Sequence, residues 1–372
     1  MLNLLYRSLI AIAVAVSGVM AAHALPADYY ATESKLASGH WVKVKVTETG
    51  MQQLTFDQLR AMGFSDPGKV AVYGYPGMQL RDFAFSSSMP DDLPAVASAI
   101  YGDKLVFFGV GRGMVTLTKY GASGTNHIDL LRNVYGLASY YYLTDSQPAE
   151  RVALSQGEFA GTTPVTSAYG YAVHDFTEHY PGIGALLFSE SFHQSPLEVE
   201  FRLPGLTDAR ANIMTSLAVA GQMPYANRAT VDINGSSNEF QITGFGGDTS
   251  YWHFRYSTIR NTSFDNIGKT DNDLYKLTLS VPSPSDDMTG AMCDYVGVRY
   301  LRSTTVGNEP QQHMVLSKTT PGMGVALTEA GDNIKVWSVS PDAAPVEYEV
   351  APLGDTGLKG VVTTSTRTWD PQ

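Results

Sequence analysis

Two imidazoles and two carboxylates fall within six residues at His174-Asp175-Phe176-Thr177-Glu178-His179. These donor types could hold a metal ion or pass protons. A metalloprotease helix carries its two histidines four apart with a glutamate between them, so that both face one ion. Here they are five apart, and Tyr180-Pro181-Gly182 stops any helix directly afterwards. The segment therefore reads as a solvated polar loop, with a loop metal site or an unrecognised hydrolase as the sharper alternatives. Gly109-Val110-Gly111-Arg112-Gly113 has the glycine density of a phosphate-cradling loop. Such loops need a Lys-Ser/Thr pair after the glycines, or a following helix with a further glycine. Met114 to Thr118 alternates like a strand instead, which favours a hairpin turn.

Cys293 is the single cysteine and allows no internal disulfide. It begins a strand-like stretch in which Val296, Val298 and Tyr300 alternate with Gly297, Arg299 and Leu301, so a buried structural thiol is expected. A nucleophilic thiol would need a histidine-bearing constellation, and no Gly-x-Ser-x-Gly elbow marks a serine hydrolase. Thr249 to Tyr256, TSYWHFRY, places Trp252, Phe254 and Tyr256 on one strand face and Tyr251, His253 and Arg255 on the other. One face fills a core; the other could stack on sugar rings. Asp271-Asn272-Asp273 lacks the glycine and distal glutamate of a calcium loop and reads as a polar turn. No catalytic, cofactor-binding or metal-ligating residue is assigned, and no cofactor is expected.

The elements that would position these residues are strands. Trp41 to Val46 alternates apolar residues with Lys43 and Lys45. A short helix over Gln58 to Met62, capped by Thr55 or Asp57, stops at Gly63. Val70 to Gly74 and Ser139 to Thr144 read as strands, and Lys104 to Gly109 as a strand buried on both faces. Leu197 to Leu203, Ile213 to Ala220, Thr230 to Ile233, Asn238 to Thr243, Tyr251 to Tyr256, Tyr275 to Val281 and Tyr295 to Leu301 follow, with Asn234-Gly235 a hairpin turn. The fold class is all-β: two consecutive β-sandwich-like domains and a short terminal β fragment. The boundaries fall at 25–160, 161–306 and 307–372, the first domain ending in the Ser/Thr/Gly/Pro-rich stretch from Gln156 to Ser167.

Residues 1–24 read as a secretory signal peptide. Arg7 is the positive n-region, Leu9 to Val19 the apolar core, and Ala22-His23-Ala24 the cleavage site. No later apolar stretch is long enough to span a membrane as a helix. Lysines and arginines total 25 against 36 acidic residues, a net charge of −11. Such a field repels phosphate backbones, so nucleic acid is excluded as a partner.

Ser38-Gly39-His40-Trp41-Val42-Lys43-Val44-Lys45-Val46, then Leu54-Thr55-Phe56-Asp57-Gln58-Leu59 and Met62-Gly63-Phe64, resembles the N-terminal region of PorU-type proteins. These are gingipain-like cysteine peptidases that act as the sortase of the type IX secretion system in Bacteroidota. Val70 to Gly74, Gly102-Asp103 with Leu105 to Gly109, and Asn133 to Thr144 are similar to further family strands in the family's order. So are His174-Asp175 with Phe188-Ser189-Glu190, and Asp294-Tyr295-Val296 with Tyr300. Val336 to Asp342 resembles the turn that precedes the family's peptidase domain. The sequence departs at Met51-Gln52-Gln53, where the family has Ile-Tyr-Lys, at Ser189 in place of Gly, and at Ser338 in place of Asp. No residue matches a family catalytic motif.

The resemblance implies an exported, non-catalytic, propeptide-like accessory region of a cell-surface protein. Its place would be the periplasm or the outer membrane and cell surface. Residues 307–372 would be the truncated lead-in to a peptidase domain that this chain lacks. Its partners would be a gingipain-like peptidase domain or type IX secretion components at the outer membrane. The alternative is a stand-alone exported β-sandwich binding module, either a peptidase inhibitor or a glycan-binding surface protein.

Overall fold

The computed structural model describes residues 29–75, 91–120, 125–133, 136–178, 187–190, 192, 195–219, 227–242, 258–264, 267–268, 270–281, 291–307, 310–331, 333–340 and 343–368. The first β region contains β1 (Val42–Val46), β2 (Gly50–Thr55), α1 (Phe56–Ala61), β3 (Ala71–Tyr73), β4 (Ala95–Val96), β5 (Ser98–Tyr101) and β6 (Lys104–Gly109). It continues with β7 (Gly113–Tyr120), β8 (Thr125–Arg132) and β9 (Ser139–Thr144). Two sheets, ordered β1-β9-β3-β4 and β2-β6-β5, enclose a core of Val46, Val72, Leu105, Phe107, Tyr141 and Leu143. Helix α1 adds Leu59 to that core. Thr55 caps α1 by accepting from Gln58 N, and the Gln58 side chain accepts in return from Thr55 N. Gly63 ends it with φ 99°, a left-handed conformation that glycine adopts without steric cost. Strands β7 and β8 form a separate hairpin.

The second region is a sandwich. Its strands are β11 (Ser167–Asp175), β12 (Leu197–Arg202), β13 (Leu206–Val219), β14 (Asn227–Ile233), β15 (Ser236–Ile242), β16 (Thr258–Phe264), β17 (Leu274–Ser280) and β18 (Ala291–Ser303); β10 (Ala153–Ser155) precedes them. The sheets run β11-β18-β13-β16 and β12-β17-β14-β15. Alternation explains the layers: Val199 and Phe201 of β12, Leu277 and Leu279 of β17, and Val296 and Val298 of β18 all point into one core. Asn234 (φ 48°) and Gly235 (φ 86°) both take the positive φ of a type I′ turn, which joins β14 to β15 as read from the sequence. TSYWHFRY lies outside the described residues.

The terminal region is built from β19 (Lys318–Thr319), β20 (Gly324–Ala326), β21 (Val336–Ser340), β22 (Ala343–Tyr348), β23 (Ala351–Pro352), β24 (Lys359–Val362) and β25 (Arg367–Thr368). It takes in earlier chain. Strand β10 pairs parallel with β22, and Val165 N donates to Gly324 O (2.8 Å) while Ala326 N donates to Val165 O (2.9 Å). The Phe159 ring packs on Ala326, Leu353 and Val362, and a Cβ on Gly324 would sit 2.6 Å from that ring. The Ser/Thr/Gly/Pro-rich stretch from Gln156 to Ser167 is therefore largely an integral part of the terminal region.

Two further expectations need correction. Strand β6 buries Leu105, Phe107 and Gly109 on one face, while Lys104, Val106 and Phe108 are only half-buried on the other. Its small antiparallel sheet is not covered on both sides. Gly109 to Gly113 is no hairpin turn either, because β6 pairs with β2 and β5 whereas β7 pairs with β8. The segment carries the chain from one sheet to the next.

Candidate functional site

Within the glycine-rich segment the amides of Val110, Gly111 and Arg112 already have acceptors. Val110 N donates to the Tyr141 hydroxyl (2.7 Å) and Gly111 N to Thr49 Oγ1 (2.9 Å), while Ser139 Oγ donates to Gly111 O (2.6 Å). A Cβ on Gly111 would lie 2.4 Å from Thr47 O, so this glycine serves a close backbone approach.

His174 and Asp175 are not in a loop: they end β11, where successive side chains point to opposite faces. The exposed His174 ring packs edge-on against Phe176 at 4.8 Å, and Glu178 exchanges backbone hydrogen bonds with Phe188. His179 is outside the described residues. Among the described residues no three His, Cys, Asp or Glu side chains gather as metal ligands do. Asp271-Asn272-Asp273 forms the expected turn, with Asn272 Oδ1 accepting from Leu274 N (3.1 Å). Cys293 is fully buried; its Sγ donates to Tyr295 O (3.3 Å) and its N to Ser189 Oγ (3.0 Å). Burial holds the thiol well above its ordinary pKa, which suppresses the thiolate a nucleophile needs.

The arrangement missed by sequence reasoning is a buried charge cluster where the base of the β7–β8 hairpin meets the sandwich. Arg112 immediately precedes β7, and Arg132 ends β8 opposite Gly113. Arg112 reaches one Asp175 oxygen at 2.9 Å, and Arg132 reaches the other at 2.5 Å. Arg132 also pairs with Asp294, which lies on β18 beside the end of β11. The Arg132 and Asp294 side chains are only 6% and 7% exposed. Burial raises the Asp175 carboxyl pKa, with Arg132 and then Arg112 opposing; burial lowers the Arg132 guanidinium, with Asp175 opposing. Arg112 donates through a terminal nitrogen to Phe176 O (3.2 Å), but its Nε is buried with no hydrogen-bond partner. Both cations come from the first region and both anions from the sandwich. The cluster is charge-complementary and enclosed, which suits holding two bodies together rather than turning over a substrate.

Two smaller joints serve the terminal region. The Tyr101 hydroxyl donates to Glu347 Oε2 (2.5 Å) and accepts from Trp337 Nε1 (2.8 Å), with Lys335 3.2 Å from the other Glu347 oxygen. The buried Arg302 donates to the carbonyls of Ser303, Thr305 and His313 and to the Gln312 side chain. This fixes a segment whose Gln311 in turn accepts from Met51 N (2.8 Å).

The fold as a whole is similar to that of PorU from Porphyromonas gingivalis, in the crystal structure of its dimeric latent form. The TM-score is 0.71 with 24% identity, over 91% of this chain and 31% of that one. The chain thus spans less than a third of that protein's length. A family 35 carbohydrate-binding module from Clostridium thermocellum (TM-score 0.22, 8% identity, 36% of this chain and 98% of that one) is too distant to indicate a shared fold. So is a β-porphyranase from Bacteroides plebeius (TM-score 0.24, 10% identity, 73% and 36%). No family model matches the sequence, and no curated protein matches it.

Proposed function

We propose that this chain is the non-catalytic, propeptide-like N-terminal accessory region of a gingipain-like, PorU-like cell-surface protein. It acts by packing on a peptidase domain or on type IX secretion partners at the outer membrane. The observation that carries this reading is the fold similarity to PorU at TM-score 0.71 over 91% of the chain. The ordered motifs support it further, because those at Trp41 to Val46, Ser139 to Thr144 and Val336 to Ser340 fall on β1, β9 and β21. A thiol held protonated in the core supports giving Cys293 no catalytic role. Export through a leader at residues 1–24 and a division into two β domains and a terminal region, near 160 and 306, belong to the same proposal, with Phe159 and Val165 of the first boundary reaching across to the terminal region. Among the described residues no helix is long and apolar enough to cross a membrane.

The test is size-exclusion chromatography of the purified chain mixed with the peptidase domain of a PorU-type protein. Co-elution in one peak is expected, with no peptide hydrolysis by the chain alone. Separate elution of two folded proteins overturns the proposal.

A further inference from the structure

The sandwich enters and leaves the rest of the chain at a single point. Thr304 N donates to Thr166 O (3.0 Å), and Ser167 pairs with Ser303 as the first rung of the β11–β18 ladder. From there the two strands run side by side to Asp175 and Tyr295. That is about 27 Å at roughly 3.4 Å per residue. The buried cluster of Arg112, Arg132, Asp175 and Asp294 sits at this far end.

We infer that the sandwich is a hinged module, pivoting at the Thr166–Thr304 pair and clasped shut by Arg112 and Arg132 on Asp175 and Asp294. Adjacent entry and exit strands let such a body rotate without drawing chain through either domain. The clasp is the natural breaking point because every ion in it pairs across the gap. Taking these charges out of water offsets much of their mutual attraction. The closed state also keeps Arg112 Nε buried and unpartnered, a donor that water would satisfy on opening. Beyond the charges, among the described residues Val115 of the hairpin packs with Tyr171 and Val173 of the sandwich and with Val315. The core of the sandwich does not depend on it, since β12, β14, β17 and β18 close that core from within the module. The inference stands independently of the likeness to PorU.

Spin labels at two exposed positions, Asp103→Cys in the first region and Glu200→Cys in the sandwich, read the motion in the full chain; the buried Cys293 stays unlabelled. Double electron–electron resonance should give one narrow distance with the clasp intact. Arg132→Met should broaden it about twofold and add longer distances, with native circular dichroism, as expected of a module still held at the pivot and by the Tyr169–Val315 backbone pair beside it. If Arg132→Met does not fold, Asp294→Asn, which keeps the side-chain volume, gives the same reading. An unchanged narrow distance in either folded variant overturns the inference. So does loss of both modules in one transition whenever the clasp is broken by either substitution.

Discussion

The sandwich of residues 167–303 and the terminal region beyond it are both built of strands, yet they are stabilised by different means. The sandwich has strands of six to fourteen residues and one continuous core supplied by its own chain. The terminal region has strands of two to six residues and two small cores, one around Val325, Leu327 and Val361 and one around Ala326, Leu353 and Val362. Short strands bury too little apolar surface to stand alone. The terminal region accordingly borrows Phe159 for its core, β10 for its sheet and Tyr101 for its outer face. One unit is self-sufficient; the other is completed by Tyr101, β10 and Phe159 from far upstream in the chain.

The strongest challenge to that contrast is Arg302→Met. It strands the Ser303, Thr305 and His313 carbonyls that the buried guanidinium satisfies at the exit from the sandwich. A loss of about 3 kcal/mol is expected by urea denaturation, because several carbonyls lose a charged donor and each such bond is worth about 1.5–3 kcal/mol. Phe159→Ala should cost about 2 kcal/mol, less than for a fully buried ring because Phe159 is only partly enclosed. Hydrogen exchange should localise that loss to Gly324–Ala326 and spare β12 and β17. Equal loss of protection in the sandwich would erase the distinction. Tyr101→Phe removes the charge-assisted hydrogen bond to Glu347 and the acceptor of Trp337 Nε1 at a half-buried site. It should cost about 1 kcal/mol and alter the emission of the neighbouring Trp337.

Acid should act at the joint as well. Burial, then Arg302, holds the His313 pKa below its ordinary value of 6.5. The unfolded chain therefore takes up this proton first as pH falls, so stability is lost below about pH 6.5 and is level above it. A pH series of melting temperatures should show the decline, and His313→Gln should flatten it. The smallest effect belongs to the exposed Arg228–Glu239 pair at 3.2 Å. Glu239→Gln should change stability by less than about 0.5 kcal/mol, because solvent screens such pairs.

What could be read from the sequence follows the same divide. Period-two alternation located β1 and β12, Asn234-Gly235 marked a turn, and Thr55 or Asp57 offered a cap for a short helix, because each signal lies within a few residues. The charge cluster was invisible because its partners are far apart: Arg132 meets Asp175 across 43 positions and Asp294 across 162. A cue was present in Asp294 itself, a carboxylate set in a strand beside Cys293, Val296 and Val298. Such a position demands a buried counter-charge, but nothing local names it. The glycines at 109, 111 and 113 misled for a related reason. Gly111 is required by a distant carbonyl, Thr47 O, rather than by a turn of its own.

The most direct measurement is a calorimetric titration of the folded chain with the peptidase domain of a PorU-type protein. Accessory packing predicts saturable, equimolar heats with a negative heat-capacity change, the mark of apolar surface buried on docking. Featureless heats, with both proteins folded and at concentrations well above micromolar, would contradict it.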